Sequence, residues 1–274
     1  MTVWICATCA VEHSDTVQPP ATCAICADER QYVLPVGQQW TSLDELGAAG
    51  HRVRVEAVEP DLFGVTVQPQ VGIGQQALLL RTPEGNLLWD PTGFVDAAGA
   101  DRLRELGGVA AIAASHPHMF GVQVEWSRAL GGVPVLVAAA DRQWLQRTDP
   151  VVEYWSGTYD LFPGVTLVQC GGHFAGSAAA HWAGRADGRG VLLAGDTIAP
   201  TPDQRWASFM RSYPNNIPLS AAAVERVVGA VEPYDFDRLY GNFGGMVARD
   251  AKAAVRRSAD RYIGWISGAF DADT

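Results

Sequence analysis

Residues 110–123 read AAIAASHPHMFGVQ. An apolar run of strand character ends at His116-x-His118, a spacing that puts two imidazoles on one side of an extended segment. Two later runs end in the same manner. VTLVQ (165–169) leads into GGHFAGS (171–177), with His173 among glycines that let backbone approach a site closely, and VLLAGDT (191–197) brings in Asp196. Three histidines and a carboxylate at the carboxyl ends of apolar strands converge on one edge of a sheet.

Three neutral imidazoles with an open fourth position make a catalytic metal site, of zinc or iron, in which water ionises near neutral pH. Asp196 then orients that water, accepts its proton, or itself closes the coordination shell. His51 and His181 lack this context and read as structural or surface residues, and Cys170 as a buried small one.

At the amino terminus, Cys6-x2-Cys9 and Cys23-x2-Cys26 have the spacing of two knuckles folded onto one ion. The expectation is a structural zinc ribbon over residues 1–35, with a rubredoxin-like iron site as the alternative and His13 as a substitute ligand. So small a segment has little core, so metal supplies much of its folding free energy. Residues 36–274 then form one large domain.

Working outward, Ser42 and Glu45 form a capping-box pattern for a helix to residue 49, and strand-like runs follow at 52–58, 62–67 and 77–81. TPEGN before residues 87–89 predicts a hairpin. Helical and strand segments alternate after that: 96–106, 110–114, 122–130, 135–138, 141–147, 165–169, 190–193, 220–231, 239 and 246–267. Strands first and β/α alternation later imply layered sheets covered by helices.

The order of these motifs resembles the metallo-β-lactamase-fold superfamily, with its HxHxDH after a strand, then GGHTxGS, then GD, then a histidine near the carboxyl terminus. The resemblance spans approximately residues 50–265, and LLWDPTG (87–93), holding Asp90, looks like the strand that leads into that family's metal site. It implies an αββα sandwich. Met119, Phe120 and Gly121 follow the HPH motif, so Phe120 and Gly121 stand at positions that serve the family's second metal. LYGNFGG (239–245) places Asn242 where its last histidine falls. The resemblance therefore implies a single ion held by His116, His118 and His173, and metal-dependent hydrolysis of an ester, thioester, amide or lactone. The competing expectation is a catalytically degenerate member that binds a metabolite or a protein.

Substrate contacts are expected from SFMRSYPNNIPLS (208–220), through Arg211, Tyr213 and Asn216, and from Asn242; Phe120 and Trp126 make the vacated side apolar.

Thirty acidic against twenty basic side chains give a formal charge of -10, which disfavours nucleic acid as a partner. The arginines of residues 249–261 read as one solvated helix face. No run of about 20 apolar residues and no basic leader is present, so neither membrane insertion nor export is expected. Four cysteines available to metal then suggest the reducing cytoplasm, with a small molecule as substrate. No GxSxG, Walker-A or HExxH motif occurs, and VGIGQQ lacks the glycines of a dinucleotide loop.

Overall fold

A computed structural model describes residues 1–274, which form two compact units: residues 1–137 with 142–155, and residues 138–141 with 156–274. Each unit is built on one large mixed sheet with its helices, the two kinds of layer expected of the class, and carries smaller sheets beside it.

In the first unit, β1 (Thr2–Cys6) pairs with β2 (Glu12–Thr16) and β3 (Trp40–Thr41) in a small sheet. Helix α1 (Leu43–Ala48) follows, its Ser42 hydroxyl accepting from the Glu45 amide. The main sheet comprises β4 (Arg52–Glu59), β5 (Leu62–Gln68), β6 (Ala77–Leu80), β7 (Leu87–Trp89), β8 (Ala111–Ala113), β9 (Val135–Ala138) and β10 (Val152–Trp155), adjacent in that order. The expected hairpin is β6–β7, with Leu79 opposite Leu88. From β7 to β9 the pairing is parallel and each of these strands is buried throughout, as strands covered on both faces must be. Helices α2 (Ala97–Glu105) and α3 (Gln123–Ala129) pack against each other, and α2 also lies on β4. The four cysteines belong to the same core as Leu79, Leu88 and Trp126.

The second unit is a sheet of β11 (Thr158–Phe162), β12 (Val165–Gln169), β13 (Ala178–Trp182), β14 (Val191–Leu193), β19 (Arg238–Tyr240) and β20 (Met246–Val247). Two short ribbons separate β14 from β19: β15 (Ala199–Pro200) with β16 (Ala207–Ser208), and β17 (Met210–Ser212) with β18 (Ile217–Pro218). Helix α4 (Ala221–Val231), capped by the Ser220 hydroxyl, lies on β12 and against α5 (Ala251–Ile266). On α5, Arg256 pairs with Glu225 and Asp260, while Arg257 and Arg261 lie over the Trp206 ring.

Three expectations are corrected. His116-x-His118 is not a continuous extended segment: Pro117 sets the first position of a 3-10 turn, Pro117–Met119, with only His116 extended before it. The helix expected over 141–147 is a 3-10 stretch, Ala139–Trp144, because the buried Asp141 turns its carboxylate to the Gly176 amide. The segment 246–267 begins as β20 and turns helical only at Ala251, after Asp250 in a left-handed conformation.

Candidate functional site

The four cysteines sit at the tips of two knuckles, each offering a sulfur within 4.8 Å of the others. The Cys6–Cys26 and Cys9–Cys23 sulfurs are 3.6 and 3.8 Å apart. A tetrahedron with metal–sulfur bonds of about 2.3 Å has edges of about 3.8 Å, so the spacing fits one ion. All four are buried. Hydrogen bonds from Cys26, Cys6 and Cys9 push the Cys23 thiol well below its ordinary value, whereas Cys23 and the other sulfurs, with burial, push Cys9 well above. A cation relieves that competition for protons. Gln38 closes the cluster from outside, donating from Nε2 to Cys6 Sγ and accepting at Oε1 from the Cys23 amide. His13 lies edge-on to Trp40 with ring centroids 4.6 Å apart, and its hydrogen bond to Cys23, which helps lower that thiol, makes it a neighbour of the cluster.

At the exit of β8, the rings of His116 and His118 stand nearly perpendicular, centroids 5.2 Å apart, both buried. A carboxylate orients the first of them. Asp90, left-handed at φ 56° and buried, accepts from the Ser115 amide at 2.6 Å and from the Ser115 hydroxyl at 3.1 Å. With its proton committed to Asp90, Ser115 Oγ accepts Nδ1–H of His116 at 2.9 Å. This selects the tautomer that presents Nε2 to a metal and raises its basicity. Sequence reasoning noted Asp90 only through its motif and missed Ser115, whose role depends on a strand neighbour 25 positions away.

In the second unit, His173 follows β12 and donates from Nδ1 to the Met210 carbonyl at 2.9 Å, which likewise leaves Nε2 for a metal. Asp196 is half-buried just beyond β14. The Tyr213 hydroxyl donates to the carbonyls of Ser208 (3.0 Å) and Asp196 (3.3 Å) and so ties down the turn carrying that carboxylate. Burial and the Asp196 charge push the phenol well above its ordinary value, which keeps it a donor.

The remaining candidates are dispersed. Arg211 lies within β17, half-buried, whereas Asn216 is an exposed turn residue at φ 55° between β17 and β18. Asn242, just past β19, is 3% exposed and its Nδ2 has no hydrogen-bond partner. Phe120 and Trp126 are core residues of the first unit. His181 Nε2 bonds the Asp235 carbonyl and burial lowers its pKa; His51 bonds the Pro69 carbonyl. Burial lifts Cys170 to about 12, consistent with an inert thiol.

No helix is long and apolar enough to cross a membrane. No family model matches the chain. Among solved structures it is similar to the metallo-β-lactamase FIM-1 from Pseudomonas aeruginosa in its mono-zinc form, with a TM-score of 0.56 at 12% identity, covering 76% of this chain and 95% of that one. It is similar also to the metallo-β-lactamase DIM-1, with a TM-score of 0.57 at 13% identity, covering 77% and 97%. These likenesses show a metallo-β-lactamase fold and leave the reaction open. Over 265 residues the chain is 43% identical to YmaE of Bacillus subtilis (strain 168), an uncharacterized protein, covering 96% of each. A match of that extent shows kinship beyond fold: the chain belongs to the family of YmaE, built on a metallo-β-lactamase fold.

Proposed function

We propose that this chain is a metal-dependent hydrolase whose single catalytic ion would be held by His116, His118 and His173, with Asp196 beside it. The observation that carries this reading is the pair of buried imidazoles at the exit of β8, His116 and His118, with ring centroids 5.2 Å apart. The tautomers of His116 and His173 support it, each having Nδ1 engaged by the protein. Bound there, a zinc or iron ion supplies Lewis acidity and a nucleophilic water near neutral pH. Asp196 orients that water and takes its proton. Arg211, Tyr213, Asn216 and Asn242 are assigned to a small-molecule substrate, an ester, thioester, amide or lactone.

A mononuclear site is favoured by the second-metal side. Phe120 is a buried hydrocarbon, and Gly121 has no room for a larger side chain, since a Cβ there would fall 2.2 Å from the Pro91 carbonyl. The same replacements favour a second reading, a catalytically degenerate module that binds a metabolite or a protein. The four-cysteine ion is structural in either case, and its thiolates suit a reducing, cytoplasmic setting.

Elemental analysis of the native chain, His118→Ala and Cys23→Ser tests the sites: two ions per chain fall to one in each variant. Turnover of a panel of esters, thioesters and lactones, lost in His118→Ala and Asp196→Ala with folding intact, supports the hydrolase. Equal turnover in those variants overturns it. A loaded wild-type chain that turns over none of them selects the binding module.

A further inference from the structure

A stretch of four residues, Cys9–Glu12, joins the cysteine cluster to the segment that carries the histidine pair. Its backbone closes on the cluster: the Ala10 amide donates to the Cys6 carbonyl at 2.8 Å, and the Cys6 amide to Val11 at 3.0 Å. Ala10, left-handed at φ 64°, sets its methyl on Gly93, where a Cβ would fall 2.2 Å from it. Two residues on, the Glu12 amide donates to the Gly121 carbonyl at 3.0 Å.

The Glu12 side chain then runs inward. Oε1 accepts the Val124 amide in the first turn of α3, and Oε2 pairs with Arg147, which also reaches Glu125. Glu12 and Arg147 are 3% and 4% exposed. On the opposite side, the Val122 amide donates to the Thr92 carbonyl at 3.1 Å. The chain from Met119 to Val124, directly after His118, is thus held between the Asp90–Gly93 turn and the first cysteine knuckle.

We propose that Glu12 is a positioning residue for His116 and His118, and that an ion on Cys6, Cys9, Cys23 and Cys26 fixes Glu12 in place, so that loading the sulfur site strengthens metal binding at the histidine site. The proposal rests on the histidine site described above. Its physical basis is that β1, β2 and β3 supply only short pairings, and the geometry of the knuckle depends on four sulfurs converging. Communication runs through one carboxylate, that of Glu12, and one carbonyl, that of Gly121.

Cobalt(II) on the full chain reads both sites, by the thiolate charge-transfer band for the sulfurs and by competition with a chromophoric chelator for the histidines. Hydrogen exchange at Met119–Val124 reads the brace. With the sulfur site loaded, these amides are protected, and stripping it speeds their exchange by about tenfold or more. In an Arg147→Met background, which removes the opposing charge, Glu12→Ala weakens cobalt binding at the histidines by roughly ten- to a hundredfold while the thiolate band persists. Glu12→Gln in that background keeps an acceptor for Val124 and restores affinity to within about threefold.

Unchanged exchange on stripping, or histidine affinities equal to wild type in both Glu12 variants, overturns the proposal. A wild-type chain whose histidines take no cobalt removes the metal reading of that site, and the exchange measurement alone then decides the brace.

Discussion

Glu12 and Arg147, 135 positions apart in the chain, form a buried ion pair. Removing one member of such a pair strands the other charge away from water, which costs about 3–5 kcal/mol, whereas replacing both with apolar groups is often neutral. At about pH 8, where both groups are charged, Glu12→Ala therefore lowers the unfolding free energy by about 3–5 kcal/mol. Denaturant melts of Glu12→Ala, Arg147→Met and the double variant check this; additive losses would show that the two do not act as a pair.

The same carboxyl gives a pH dependence of definite sign. Burial lifts Glu12 from 4.5 to about 7, against the pull of Arg147. Between those values the folded chain holds a proton that the unfolded chain has lost. The contribution of this group to stability is full below about pH 4.5 and is lost as pH rises through about 7. Relative to Glu12→Gln, the wild type loses up to about 3 kcal/mol across that window. Parallel melts from about pH 5 to 8 measure it, and curves that stay parallel would contradict it.

Asp90→Asn keeps the shape of the Ser115–His116 relay and removes its charge. Zinc affinity at the histidine site falls by roughly ten- to a hundredfold, as it does for outer carboxylates that orient metal-bound imidazoles. A competition titration, with circular dichroism as the control for folding, gives the answer; affinity within about twofold of wild type would deny the relay a role.

Asn242 keeps a buried amide nitrogen without a hydrogen-bond partner, which costs about 1–3 kcal/mol. Asn242→Leu removes that cost at similar volume, so its melting temperature rises while turnover of whichever ester or lactone the wild type accepts falls. A lower melting temperature would indicate that the amide is satisfied in solution.

Much of this molecule is legible along its chain. Strand runs ending in His116, His173 and Asp196, the paired knuckles and the caps at Ser42 and Ser220 are local patterns, and local chemistry suffices to recognise them. Strands β10, β11 and β13 are not among those the sequence suggests. In β13, AAAHW, alanine-rich composition carries neither alternation nor branched side chains, and burial between β12 and β14 makes it a strand. Pro117 likewise turns what looked extended into a 3-10 turn.

What the chain determined by itself is therefore the inventory of ligands and the class of layers, because both follow from residue type and period. Tertiary structure alone decided how those ligands are held: Ser115 between Asp90 and His116, Tyr213 on the turn of Asp196, Glu12 between the knuckle and Arg147. Each joins positions distant in sequence, and no periodic pattern records a hydrogen bond whose partner is chosen by how remote segments pack.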